Sequence, residues 1–221
     1  LFDKDIESMQ KKVDELLTYY FEKEYSAHFE TGKNHLMFFA ARKTIMKFLK
    51  TEINTVKSNE LIIKGLERKE ETDFPMEING EEIKVKLRGT IDRVDELNGN
   101  KRIIDYKSGK VTPTSLRIKD IQNINSTKTL KDKPFQLLMY QVLIENEIRE
   151  NEEVESGIIS FKALSEGMMN LEFTDKNFPS TFTTERREEF KSFVRELIRE
   201  ILDTSIPFTH KTDALYCDYC D

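Results

Sequence analysis

Two carboxylates and a lysine stand close together in this chain. Asp92, Asp105 and Lys107 fall within Arg88-Gly-Thr-Ile-Asp-Arg-Val-Asp-Glu-Leu-Asn-Gly-Asn-Lys-Arg-Ile-Ile-Asp-Tyr-Lys-Ser-Gly109. Apolar positions at Val85, Leu87, Ile91 and Val94 lead to the polar turn Asn98-Gly99-Asn100, and Ile103-Ile104 follow it. This pattern predicts a β-hairpin closed by an Asn-Gly turn. Side chains alternate along a strand, so Asp105 and Lys107 share a face and Tyr106 takes the other. The hairpin can set Asp92 and Asp105 level on neighbouring strands, about 5 Å apart. Carboxylates that close repel unless a cation lies between them. Oxygen ligands of this kind suit Mg²⁺ or Mn²⁺, which keep several waters. A lysine beside such an ion can orient a water or stabilise charge on a phosphate. The chemistry expected is metal-assisted hydrolysis of a phosphodiester.

Three motifs lie in order: Gly89-Thr-Ile-Asp-Arg-Val-Asp95, then Ile103-Ile-Asp-Tyr-Lys-Ser-Gly109, then Gln136-Leu-Leu-Met-Tyr140. On these residues the chain resembles the PD-(D/E)XK nuclease superfamily. Within it the closer likeness is to the RecB-like branch, with its G-x-x-D-R-x-D, D-Y-K-[ST]-G and Q-x-x-x-Y signatures. The resemblance runs from about residue 60 to 173 and implies an α/β, restriction-endonuclease-like core, a small mixed central sheet flanked by helices. It implies a Mg²⁺- or Mn²⁺-dependent deoxyribonuclease in which Asp92, Asp105 and the backbone carbonyl of Tyr106 bind the ion. Lys107 would position the attacking water or help deprotonate it, and Gln136 and Tyr140 would steady the lysine or the substrate strand.

The same likeness implies the C-terminal nuclease domain of an AddB- or RecB-type helicase–nuclease that acts at DNA double-strand breaks. Its partners would be DNA, a helicase region of the same polypeptide and a second helicase–nuclease subunit. No Walker A motif is present, so ATP hydrolysis would belong to other segments. Two alternatives stay open. One is a stand-alone RecB-like nuclease of CRISPR adaptation or phage recombination. The other is a catalytically silent DNA-binding or scaffolding module, which predicts a lost ligand or lysine.

Around this centre the sequence predicts helices over 4–25 and 34–55, from apolar residues such as Ile6, Met9, Val13, Phe39 and Phe48 at helical spacing. A strand is expected from Glu60 to Phe74, with Pro75 and Asn79-Gly80 marking a turn. The polar stretch 110–133 reads as a long loop, suited to contacting DNA or closing as a lid, or else a disordered insertion. A helix from Pro134 to about 150 places Gln136 and Tyr140 on one face. Two antiparallel strands, 155–164 and 168–173, and a final helix over 184–202 capped by Thr183 or Thr184 complete the chain.

Three further groups leave their roles open. Gly32-Lys-Asn-His35 loosely echoes a metal-binding histidine of RecB-like relatives, one residue short of G-x-x-x-H; a surface histidine is the alternative. Glu67 stands where many relatives carry a glutamate before the hairpin, and would either help order the metal site or face solvent. Cys217 and Cys220 echo the C-x-x-C of relatives that hold an iron–sulfur cluster, but a cluster needs four thiolates and the chain has 2 cysteines. No cluster is expected here, and a Zn²⁺ site would need His210 and a further ligand.

The 221 residues suffice for one sizeable domain, of which 1–59 would be a helical lead, 60–175 the catalytic core, and 176–221 a helix and tail. With no initiator methionine, the chain is expected to be a piece of a larger polypeptide. A net charge of −6 argues against a general polyanion-binding surface, although Arg117-Ile-Lys119 and Lys128–Lys133 could serve locally. No apolar run or leader pattern suggests a membrane or export, and paired cysteines this close do not suggest a secreted disulfide framework. A cytoplasmic location is expected.

Overall fold

A computed structural model describes residues 2–25, 31–78, 80–126, 129–149, 152–175 and 182–207. Contacts divide the chain into two units, Leu1–Leu61 and Ile62–Asp221. In the first, helices α1 (Phe2–Tyr25) and α2 (Gly32–Ser58) pack on each other. The edge of the Phe38 ring meets Phe21 at 5.3 Å between centroids. Arg42 forks onto Asp14, with Nη2 2.9 Å from Oδ2. No helix among the described residues is long and apolar enough to cross a membrane.

The second unit opens with three strands, β1 (Leu61–Ile78), β2 (Glu81–Leu97) and β3 (Asn100–Lys107). Asn98 and Gly99 both have positive φ, 53° and 83°, as a type I′ turn requires, and Leu97 and Asn100 pair across them. The expected hairpin is therefore closed by the expected dipeptide. The expectation for Pro75 fails. It lies inside β1 rather than at a turn. Because β1 is the edge strand of its sheet, a residue without an N–H is tolerated there.

Beyond β3 come the short strands β4 (Arg117–Ile118), β5 (Asn125–Ser126) and β6 (Thr129–Leu130), then helix α3 (Asp132–Leu143). Strands β7 (Val154–Ser160), β8 (Met168–Asn170) and β9 (Glu172–Phe173) and helix α4 (Thr184–Leu202) follow. The main sheet has the order β1-β2-β3-β7-β8. Its β2–β3 and β7–β8 pairs are antiparallel and β3–β7 is parallel, so the sheet is mixed as expected. A parallel pair needs a long crossover, and the segment carrying α3 supplies it. As the inner partner of that pair β7 is buried at every position except Glu155, not half-buried as its sequence suggested.

Helix α3 lies against β2, β3 and β7, and α4 packs on α3 in turn. One apolar cluster joins Ile91, Ile103 and Ile158 of the sheet to Leu137, Tyr140 and Leu143 of α3. A second joins Leu138 and Val142 on the outer side of α3 to Phe190, Phe193 and Val194 of α4. The hydroxyl of Thr183 caps α4 by accepting from Arg186 N. The described part of the segment between β3 and α3 is not a disordered insertion: Val111 and Leu116 join the first cluster, and Ile118, Ile121 and Ile124 the second. Leu116, Ile118, Ile121 and Ile124 are fully buried, and β4 pairs with β9. Four branched apolar residues spaced two to three apart satisfy neither a helical nor a strand period, which hid them.

Candidate active site

The β2–β3 ladder is paired from Leu97↔Asn100 to Arg93↔Ile104. One rung further on, the same register sets Asp92 opposite Asp105. There a side chain replaces the main-chain partner: Tyr106 N–H donates to Asp92 Oδ2 at 2.7 Å. On the other edge of β3, Phe161 N–H donates to Lys107 O. Carbonyls alternate along a strand, so the Tyr106 carbonyl faces the β2 side, as does its N–H. The strands thus part where the two carboxylates meet.

Lys107, Gln136, Tyr140 and Asp105 form a closed ring. Lys107 Nζ lies 2.8 Å from Asp105 Oδ2 and donates to Gln136 Oε1 at 2.9 Å. Gln136 Nε2 donates to Tyr140 OH at 2.6 Å, and Tyr140 OH donates to Asp105 Oδ1 at 3.3 Å. Two periodicities produce the ring: the two-residue repeat of β3 aligns Asp105 with Lys107, and the four-residue spacing on α3 aligns Gln136 with Tyr140. Gly89 lets the helix approach, since a Cβ there would sit 2.9 Å from Leu143 Cδ1. Gln141, one residue past Tyr140, is buried and donates to Ser156 Oγ at 2.8 Å, tying α3 to β7. No sequence pattern marks Gln141.

Burial drives the pKa of Asp105 above the ordinary carboxylate range, against the opposing pull of Lys107, and the charge of Asp92 pushes the same way as burial. Burial, then the charge of Asp105, raises Tyr140, so its hydroxyl keeps its proton and remains a donor. A buried acid held near a second acid is what a cation would relieve. The wholly buried Asp105 Oδ2 receives no well-directed hydrogen bond among the described residues. No three or more His, Cys, Asp or Glu side chains converge on a metal position among the described residues. Two carboxylates and a carbonyl nevertheless suit Mg²⁺, which takes one or two carboxylates and completes its shell with water and phosphate oxygens.

On the reverse face, Asp95 is fully buried between two guanidinium groups. Arg93 Nε lies 2.5 Å from its Oδ2, and Arg102 Nε and Nη2 reach its two oxygens at 2.7 and 2.9 Å. Arg93 is therefore braced by Asp95, two residues along the same strand. Arg102 was missed, although it sits opposite Asp95 in the register.

His35 is on α2, in the first unit, its ring edge-on to Phe39 at 4.7 Å. Glu67 is exposed in mid-β1 with φ 49°, a left-handed residue such as β-bulges use, and no hydrogen bond or ion pair among the described residues ties it to Asp92 or Asp105. Lys128, His210, Cys217 and Cys220 fall outside the described residues.

The family model for the PD-(D/E)XK nuclease superfamily matches residues 1–221. No curated protein is similar enough in sequence to match.

Proposed function

Since the chain belongs to the PD-(D/E)XK nuclease superfamily, we propose that it is a divalent-metal-dependent deoxyribonuclease of the RecB-like branch, using Mg²⁺ or Mn²⁺. The observation that supports this reading is the ring through Asp105, Lys107, Gln136 and Tyr140, with Asp92 one strand away. Asp92, Asp105 and the Tyr106 carbonyl would hold the ion. When bound, that ion supplies an acidified water and a counter-charge for phosphate oxygens. Lys107 presents its nitrogen beside Asp105, where it can hold the attacking water or take up its proton. Gln136 fixes the direction of that nitrogen, and Tyr140, held protonated, orients both Gln136 and Asp105.

The three RecB-like signatures further support a nuclease domain of a double-strand-break repair helicase–nuclease, working with a helicase region of its own polypeptide and a partner subunit. The test is hydrolysis of linear DNA, with RNA as a parallel arm, in Mg²⁺ or Mn²⁺. Asp105→Ala and Lys107→Ala should each abolish cleavage while the variants remain folded by circular dichroism. Undiminished cleavage by either variant would end the proposal.

A further inference from the structure

The carboxylates expected to hold metal are stapled at one rung from both faces of the sheet. On the front, Asp92 Oδ2 accepts from Tyr106 N–H at 2.7 Å. On the back, the next residue of β2 reaches the same partner, Arg93 Nη1 lying 3.0 Å from Tyr106 OH. Arg93 is itself fixed by Asp95, and Asp95 by Arg102, all three buried or nearly so. The Tyr106 ring stacks on Phe161 with centroids 5.8 Å apart. Phe161 N–H in turn donates to the carbonyl of Lys107, so the stack closes back onto β3.

Tyr106 contributes its main chain to the front face and its side chain to the back. A turn of its peptide would move three things together: the N–H that holds Asp92, the carbonyl aimed at the ion, and the flanking Asp105 and Lys107. On the β2 side that peptide is held by Asp92, a group the ion would also engage, and at the other edge of β3 its flanking peptides are held by the pairing with β7. The back-face contact is independent of the ion. We infer that the Tyr106 phenol and Arg93, clamped by Asp95, are positioning residues that set the metal-binding geometry from the opposite side of the sheet. This rests on the metal-dependent reading above. Partners that orient a ligand typically carry ten- to hundred-fold in metal affinity. The phenol acts through one main-chain unit, which places it at the lower end, about tenfold.

The experiment is Mn²⁺ binding without DNA, followed by calorimetry and by the electron paramagnetic resonance signal of free Mn²⁺. Tyr106→Phe removes one oxygen and keeps the ring stacked on Phe161. Its Mn²⁺ affinity should fall about tenfold while its melting temperature stays within a few degrees of wild type, and its DNA cleavage should recover at saturating Mn²⁺. Arg93→Lys keeps a cation beside Asp95 but loses the planar fork, and should show the same loss. The double variant should be no worse than either single one, because both remove one contact. Wild-type affinity in Tyr106→Phe, or additive losses in the double variant, would overturn the inference. Failure of the wild type to bind Mn²⁺, or binding unaffected by Asp105→Ala, would instead overturn the metal-dependent reading.

Discussion

In the proposed mechanism Lys107 competes with the cation it would assist, and this sets two measurable quantities against each other. Its nitrogen is 2.8 Å from Asp105 Oδ2, so an ion approaching that oxygen must displace it. Lys107→Met removes the charge and keeps most of the side-chain volume. The contact is an ion pair rather than a well-directed hydrogen bond, and with the lysine side chain 31 % exposed it contributes at most about 1 kcal/mol. Since about 1.4 kcal/mol is a factor of ten in affinity, metal-free Lys107→Met should bind Mg²⁺ up to about fivefold more tightly than wild type in calorimetry. Turnover on DNA should fall by roughly 10²-fold or more, as loss of an acid–base group does. Plain repulsion between the ammonium and a dication acts in the same direction, so Gln136 supplies the discriminating arm. Gln136 Oε1 gives the displaced nitrogen a second berth, 2.9 Å away. Gln136→Leu should weaken Mg²⁺ binding several-fold in wild type and leave it unchanged in Lys107→Met. Equal or weaker binding by Lys107→Met, or an effect of Gln136→Leu that survives in that background, would rule out this competition.

Two other perturbations act on Asp105 and on the β7–β8 pair. Burial holds the folded-state pKa of Asp105 above its unfolded value, so the native state keeps a proton that the unfolded state releases. The stabilisation this gives is full below the unfolded pKa and is lost as pH rises through the raised one. Metal-free Asp105→Asn should therefore melt at or above wild type at neutral pH, with the gap closing on acidification. A variant that melts lower at neutral pH and gains relative to wild type in acid would contradict the sign. Gly157 lies in β7 where a Cβ would stand 2.6 Å from the carbonyl oxygen of Met169, so Gly157→Ala must push β8 away. Overpacking of this kind costs about 1–3 kcal/mol, and a urea midpoint within error of wild type would exclude it.

The site was legible in the sequence because short-range rules fix it. Asp105 and Lys107 share a face by the strand repeat, Gln136 and Tyr140 by the helix repeat, and Asn98-Gly99 sets the register that brings Asp92 level with Asp105. What escaped notice depends on contacts distant in sequence. Ile118 and Ile121 are buried by α4 and β9, which lie more than fifty residues on. Pro75 is admissible only because β1 ends up at the edge of the sheet. Burial of β7 on both faces follows from its parallel pairing with β3, which no residue of β7 announces. Asp95 and Arg102 come together in the interior only through the β2–β3 register.

That last case bears on why Asp105, Tyr106 and Lys107 are consecutive. A strand gives alternate residues to opposite faces, so three in a row supply two groups to one side and one to the other. The front pair carries opposite charges 2.8 Å apart. The middle residue cannot reach it with its side chain, yet its N–H donates to Asp92 and its carbonyl faces the same strand. Its side chain is then free to anchor the rung from behind, and Tyr106 does so with a ring against Phe161 and an oxygen beside Arg93. An aliphatic residue there would pack on Phe161 but give Arg93 no oxygen, and a charged one would add a fourth ion to a cluster that already holds two cations and one anion. Tyrosine meets both demands with a neutral group, so the middle residue is as constrained by the back of the sheet as its neighbours are by the front.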